Sequence, residues 1–412
     1  MKRKLSGYIF LFLCISLLAA CGGGSSDDYW DDYYDDGLGV SGRPDGYLVP
    51  ELVSSTLPFN TLESSQWHTC GVVSDGTTFC WGDNEYGALG STGTGIFCED
   101  LFRERYSCTG TPQQVNTTLK FVALSGSLGH GLTCGLTAQG EAHCWGFGLW
   151  GQLGNGELSN SSTPVAVAGG LQFVSIRVGS GGAGVCALTA TSDLYCWGDL
   201  GLLYADGQRT EQSSIPQLVN SALGFISFDL GELHACGVSA SGQAYCWGSN
   251  WYGQLGIGFR GSNGVPIPTE VVGGHVFRSI VTGSDQTCAL KETGEAYCWG
   301  NGNNTGSPAS GYVTTPQPVA GGHKFSELYA GFIHTCGLTT DGDAYCWGQN
   351  YLGELGDGTQ QPRTTPVKVQ TNQKFIRLSH RATCGMTNNG QAYCWGSNSS
   401  GQVGRPPHYE IL

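Results

Sequence analysis

The chain has 412 residues, with 33 Asp and Glu against 19 Lys and Arg, a formal charge of −14 and only 13% charged residues beside 67 glycines. An acidic chain whose cations are scattered offers no basic stripe to neutralise phosphates, so composition argues against a nucleic-acid partner. Abundant glycine and few stretches of 3.6-residue periodicity point to an all-β, turn-rich chain.

The first segment reads as an export leader. Lys2, Arg3 and Lys4 precede an apolar run from Tyr8 to Leu18, too short for a stable membrane span, and Leu18-Ala19-Ala20-Cys21 follows as a small-residue cleavage site ending on cysteine. This stretch resembles the bacterial lipoprotein signal peptide. The resemblance implies a leader of residues 1–20, a lipid on Cys21 and a place in the bacterial cell envelope; the alternative is an ordinary secretory peptide with a fortuitous cysteine. Gly22 rather than aspartate after the cysteine resembles the Gram-negative sorting pattern for the outer membrane.

Residues 21–46 combine Gly-Gly-Gly-Ser-Ser with Asp27, Asp28, Asp31, Asp32, Asp35 and Asp36. Glycine, serine and like charge resist compaction, so the segment is expected to be an extended tether. A calcium site is the competing reading, although the turn glycine and closing glutamate of an EF-hand loop are missing.

From residue 47 to 412 one phrase returns seven times: a cysteine, a second cysteine ten positions on, then Trp-Gly. The pairs are Cys70 with Cys80, Cys134 with Cys144, Cys186 with Cys196, Cys236 with Cys246, Cys288 with Cys298, Cys336 with Cys346 and Cys384 with Cys394. Successive second cysteines lie 64, 52, 50, 52, 48 and 48 residues apart. A period near fifty marks a repeat architecture in which each unit buries its face on the next. The units open with an alternating run such as Leu171–Ile176 or Lys324–Leu328, continue through a strand with the first cysteine, a turn such as Thr340-Asp341-Gly342, and a strand ending in Cys-Trp-Gly. A glycine-rich segment and a proline-marked strand such as Thr365–Val369 close the unit.

A hairpin centred between positions i and i+10 sets the two cysteines opposite each other, about 4.5–5.5 Å apart at Cα, within disulfide range. With Cys14 discarded and Cys21 lipidated, the other cysteines all fall into such pairs, including Cys98 with Cys108 in a first-repeat insertion at 91–110. This pattern argues for local disulfides in an oxidising compartment rather than a metal site.

The phrase Trp-Gly-x-Asn-x-x-Gly-Gln-Leu-Gly, as in Trp247–Gly256, preceded by His-Thr-Cys-Gly-Leu as in His334–Leu338, resembles the repeat of the regulator of chromosome condensation family. The resemblance implies a seven-bladed β-propeller of four-stranded blades, here with an intrablade disulfide in each blade. Two blades depart from the pattern, since the loops after Trp197-Gly198 and Trp299-Gly300 lack Gln-Leu-Gly. Either Val49–Val53 or Pro407–Leu412 is positioned to complete the last blade and close the ring, which removes a free sheet edge.

Chemistry is sparse. His68, His234 and His334 share a slot two before the first cysteine, and three imidazoles converging on the channel would make a metal site. The other blades place Leu132, Gly184, Gln286 and Ala382 there, and the family uses this histidine structurally, so neither metal nor cofactor is expected. Aromatics at Tyr86, Trp150 and Tyr252 read as packing. Trp251 and Tyr351 occupy a neighbouring loop slot where rim aromatics would contact a partner. In the insertion, Phe102, Arg103, Arg105 and Tyr106 form a second candidate surface, pre-ordered by its disulfide.

The expectation is a monomeric, lipid-anchored envelope propeller that binds another protein and performs no catalysis, with no nucleic-acid or nucleotide partner. Inhibition of a secreted enzyme is a narrower version, because some bacterial relatives of the fold bind secreted β-lactamases. The alternatives are a propeller enzyme of lyase or glycosidase type and a carbohydrate-binding surface protein.

Overall fold

The computed structural model describes residues 46–411 apart from 93–96, 99–105, 128, 130, 180, 182–183, 200–211, 221, 309–310, 380–382 and 407–409. The expected leader, Cys21, all but the last residue of the tether, and Phe102, Arg103 and Arg105 lie outside the described residues.

Seven antiparallel sheets form a propeller, one per repeat. Blade 1 comprises Phe59–Ser64, His68–Val73, Thr78–Asp83 and Tyr106–Gln114; blade 2, Phe121–Gly126, Leu132–Thr137, Ala142–Gly146 and Ser161–Ala166; blade 3, Phe173–Val178, Gly184–Thr189, Leu194–Gly198 and Ser213–Asn220. Blade 4 comprises Phe225–Leu230, His234–Ser239, Ala244–Asn250 and Gly261–Glu270; blade 5, Ser279–Thr282, Gln286–Leu290, Ala296–Asn301 and Tyr312–Pro318; blade 6, Phe325–Ala330, His334–Thr339, Ala344–Gly348 and Arg363–Lys368. Blade 7 takes Phe375–Leu378, Cys384–Thr387 and Ala392–Ser397 from the end of the chain and its outer strand, Gly46–Leu52, from the beginning.

The N-terminal strand therefore closes the ring, pairing Gly46 with Ser397 and Leu52 with Tyr393. The C-terminal segment does something else: Glu410 and Ile411 pair with Cys98 and Phe97 in the insertion, extending the blade 1 sheet to six strands. Each blade's outer strand carries a proline, for example Pro50, Pro112, Pro164 and Pro366. Proline cannot donate to a sheet ladder, so it is tolerated on these exposed edges and discourages further strand addition.

The two cysteines of every blade face each other across the second and third strands, as in Cys236 opposite Cys246. All seven expected pairs are disulfide-bonded: Cys70 to Cys80, Cys134 to Cys144, Cys186 to Cys196, Cys236 to Cys246, Cys288 to Cys298, Cys336 to Cys346 and Cys384 to Cys394. Their Cα atoms are 4.0–4.1 Å apart, closer than the 4.5–5.5 Å that hairpin geometry alone suggested. Cys98 to Cys108 forms the eighth bond, with Cα atoms 5.8 Å apart.

The core lies between blades. One cluster joins Cys134, Leu136 and Leu153 of blade 2 to Phe173, Ile176 and Trp197 of blade 3, and the others repeat the arrangement. Each tryptophan stacks near its own blade's phenylalanine, as Phe225 and Trp247 do at 6.0 Å, and its indole N–H usually reaches back to the preceding blade. Trp145 Nε1 donates to Ala88 O (2.9 Å), Trp197 to Gln152 O (3.0 Å), Trp299 to Gln254 O (2.9 Å), Trp395 to Glu354 O (2.9 Å), and Trp81 to Gln402 O (3.0 Å) across the closure. A lone blade would lose both its buried face and this bond, so the ring is the folding unit.

The motif's glycines follow from geometry. After each Trp the chain turns into the left-handed region, as at Gly248 (φ 102°) and Gly300 (φ 111°), and a Cβ on Gly300 would lie 2.2 Å from Asp285 O. Only glycine meets both demands. The glycine ending the next loop packs under the following blade's indole: a Cβ on Gly256 (φ 67°) would stand 2.7 Å from Trp299 Nε1.

Candidate functional site

The antiparallel connections give the propeller two faces. Second and third strands meet in tight turns on one, the turn face. On the other, the loop face, lie the loops that follow Trp-Gly and the short links between first and second strands.

Polar groups along the inner strands stitch neighbouring blades together. Glu63 accepts the Gly126 N–H (3.2 Å), Ser125 the Val178 N–H (3.0 Å) and Asp229 the Thr282 N–H (2.8 Å). Arg177 lies 3.9 Å from Asp229, and Glu327 sits beside Tyr329, Arg278 and Arg377, with burial the leading influence pushing its carboxyl upward. On the loop face Glu232 is bonded by Ser284 and pushed upward mainly by burial, with Asp285 adding to the effect. Among the described residues no group of three or more His, Cys, Asp or Glu is arranged to hold a metal ion.

Two of the three histidines are pegs between blades. His68 Nε2 lies 2.7 Å from Thr133 Oγ1 and His234 Nε2 lies 2.9 Å from Thr287 Oγ1. Each threonine hydroxyl donates onward to a loop carbonyl, Thr133 to Ala88 and Thr287 to Gln254. With the threonine proton on that carbonyl, the histidine donates through Nε2–H. Burial pushes all three histidines down to about 4, and they are neutral at physiological pH. His68 and His234 serve two different blade boundaries rather than one channel site.

The departures in the loops have specific consequences. Blade 5 replaces Gln-Leu-Gly with a short turn at Gly302–Asn304, yet Gly306 still packs under Trp347. Trp347 Nε1, however, finds no acceptor among the described residues. The blade 3 loop lies largely outside them.

Two of the sequence candidates stand on the loop face. Trp251 is 56% exposed and Tyr351 37%. The neighbouring slot packs as expected: Phe147 lies 5.1 Å from both Tyr86 and Trp150, edge-on. Tyr106 requires correction. It is buried at 4%, grouped with Cys98 and Cys108, and its hydroxyl lies 3.0 Å from Ser400 Oγ in the blade 7 loop. The reason is that the return strand of the insertion is also the outer strand of blade 1, pairing Asp83 with Cys108, so Tyr106 is drawn against the neighbouring blade.

Three residues of the surface escaped the sequence reading. Phe259 (58% exposed) and Tyr312 (43% exposed) flank Arg260 beside Trp251. Arg260 Nη1 donates to Trp251 O (3.2 Å), and its guanidinium lies 3.8 Å from the centroid of Tyr312, itself 5.8 Å from the ring of Tyr252. Blade 6 repeats the device: Gln360 Nε2 donates to Tyr351 O (2.9 Å). In both blades a long polar side chain nine positions on ties down the backbone of the exposed aromatic residue. Aligning blades 4 and 6 residue by residue would have revealed the pairing.

Fold and surface together define a disulfide-stapled, seven-bladed propeller with an ordered aromatic patch. Two profiles of the Regulator of chromosome condensation (RCC1) repeat match it, one at residues 62–88, 225–254, 277–306, 325–354 and 379–402, the other at 139–188, 241–290 and 341–387. Together they span more than half of the chain, which belongs to the RCC1 repeat family. Similar proteins include the E3 ubiquitin-protein ligase HERC2 of Mus musculus, 28% identical over 62% of this chain and 5% of that protein. The Ultraviolet-B receptor UVR8 of Arabidopsis thaliana is 31% identical over 57% of this chain and 51% of the receptor. The chain thus matches half of one relative and a small part of the other. In solved structures the fold is shared with human WBSCR16 (TM-score 0.71, 18% identity, 85% of this chain and 89% of that one) and Prp20p of Saccharomyces cerevisiae (TM-score 0.67, 19% identity, 82% of each).

Proposed function

We propose that this protein is an exported, lipid-anchored binding module that engages another protein of the cell envelope through its loop face and carries out no chemistry of its own. The observation that carries the reading is the aromatic surface around Trp251, exposed on a loop whose backbone is tied by the Arg260 hydrogen bond. Exposed Trp and Tyr on a pre-ordered scaffold give contact area at small entropic cost, which is how interface hot spots are built. Among relatives, Prp20p is described with binding to Gsp1p and histones, and with Kap60 bound. The acidic composition here does not suit a chromatin role. Eight disulfides support an oxidising compartment, and the lipoprotein-like leader supports anchoring at Cys21 in the outer membrane. Acids of the inner strands are occupied in blade-to-blade bonds, which supports binding over catalysis.

The test is affinity capture from envelope extract with the mature protein beside a double variant, Trp251→Ala with Tyr351→Ala, with bound proteins identified by mass spectrometry. A protein retained by the wild type and lost by the variant is the expected result. Retention of the same proteins by both, or of none by the wild type, overturns the reading.

A further inference from the structure

We infer that the loop-face patch on blades 4 and 5 recognises a carboxylate set among apolar side chains, an acidic peptide segment of the protein partner, with Arg260 as the anion anchor. This inference rests on the protein-binding reading and names what the surface selects.

Charge pairing carries the argument. Most of the described cations form ion pairs with acids of this chain: Lys120 lies 3.0 Å from Asp75, Lys324 2.7 Å from Glu295, Arg363 2.8 Å from Asp357, and Lys368 and Lys374 share Asp343. Arg405 reaches Glu51 and Arg177 reaches Asp229. Arg278 and Arg377 act on Glu327 from beyond direct ion-pair distance, and Lys291, 4.3 Å over the Tyr297 ring, acts likewise on Glu295. Arg260 has no such acid among the described residues. It is exposed, and its contacts among the described residues are the Trp251 carbonyl and the face of Tyr312.

Those two contacts leave a directed site. Tyr312 covers one face of the guanidinium and Trp251 O takes one N–H, so the planar fork is held in position while its other N–H donors remain open. A fork fixed in this way matches a carboxylate, and stacking on an aromatic strips part of its hydration in advance. Trp251 and Phe259 are exposed in the same loop and Tyr312 is exposed beneath the guanidinium, so an incoming carboxylate would find apolar surface beside the anchor. In a chain of net charge −14, an acidic segment meets attraction only where a cation is left unmatched, which makes the patch selective for how a partner is placed as well as for what it carries.

The experiment pans a random peptide library on the mature wild-type protein, then measures the enriched peptides by fluorescence polarisation against wild type, Arg260→Gln and Trp251→Ala at low and high salt. Each peptide is compared with its Asp→Asn or Glu→Gln counterpart. Enriched peptides are expected to carry an acid beside apolar residues, and neutralising that acid should weaken wild-type binding by about tenfold, as loss of a charge-assisted hydrogen bond does. The same change should cost Arg260→Gln less than about twofold. Equal losses in both proteins, or peptides without an acid that still depend on Trp251, overturn the anchor while leaving a protein-binding surface. Enrichment of nothing overturns it as well, and the capture experiment then reports separately on the wider reading. Binding of polygalacturonate in place of peptides, lost in Arg260→Gln, would reassign the patch to acidic sugars.

Discussion

Replacing Glu354 by glutamine is expected to stabilise the protein above neutral pH and to leave it unchanged in acid. In blades 2, 4 and 7 a glutamine fills this loop slot and accepts the backbone N–H two residues earlier, at 2.8 Å for Gln152 and 2.9 Å for Gln254 and Gln402. Gln402 also uses its amide as a donor, to Gln66 O (2.8 Å) and Ser397 Oγ (3.1 Å). Glu354 keeps the accepting half, taking the Leu352 N–H at 2.9 Å, but an ionised carboxylate has nothing to donate. Burial pushes its pKa from the ordinary 4.5 up to about 7, against the pull of the backbone bonds. The native state therefore holds this proton more tightly than the unfolded chain does. Between pH 4.5 and 7 the unfolded chain has released it and the native state has not, so stability falls as pH rises through that window and is level on either side. A tenfold change in proton affinity is worth about 1.4 kcal/mol, which sets a ceiling of roughly 3 kcal/mol. Glu354 keeps partial solvent exposure, and screening lowers the expected gain to about 1–2 kcal/mol. Urea denaturation followed by tryptophan fluorescence at about pH 8 and about pH 4 measures it. A glutamine variant that is no more stable than wild type at the higher pH, or that gains equally at both, refutes the reasoning.

Two further outcomes follow from the blade boundaries. Trp299→Phe removes an indole bond to Gln254 O, whereas Trp347 has no such acceptor among the described residues; the first substitution should cost about 1 kcal/mol more than the second by denaturant midpoint, and equal costs would show that the cross-blade bond contributes little. His68, held down to about 4 by burial, binds its proton less tightly in the native state than in the unfolded chain, so its contribution is present above about 6.5 and is lost as pH falls towards 4. His68→Gln, which supplies the residue blade 5 uses as Gln286, should flatten the loss of thermal stability between about pH 7 and pH 4, and an unchanged slope would contradict the neutral-peg assignment.

The stapled hairpin was legible because it is local: eleven residues, one turn and two cysteines determine who faces whom without reference to anything distant. The Trp-Gly glycine was equally visible as a repeat, and the structure supplies its cause in the left-handed turn at Gly300 and the Asp285 carbonyl beneath it. Ring closure was not legible, since two proline-bearing segments competed for one place. What decides it is non-local: the insertion offers Phe97–Cys98 as a pairing edge, and Glu410–Ile411 takes it, leaving Ala392–Ser397 to the N-terminal strand. Tyr106 failed for the same reason, because a loop that looks free in sequence becomes an outer strand once blade 1 forms.

Arg260 marks the deeper limit, and it also shows where function resides in a repeat protein. Its role depends on an absence, a carboxylate that the fold provides to most of its described cations and withholds here, and on a contact with Tyr312 in the next blade. Neither is a property of a local motif. The shared positions of the repeat are consumed by the ring: the indole, the glycine beneath it, the hairpin disulfide. A position that all blades share must serve the ring, so a surface that singles out one partner has to be written in the positions where the blades differ. Blades 4 and 6 use the same tie, Arg260 or Gln360, to fix the backbone of an exposed aromatic residue, and only the arginine leaves a charge over. The difference between these two otherwise equivalent loops isolates the guanidinium: Arg260→Gln gives blade 4 the blade 6 arrangement, keeping the tie to Trp251 while deleting the charge, so any selectivity lost in that variant belongs to the charge and not to the order of the loop.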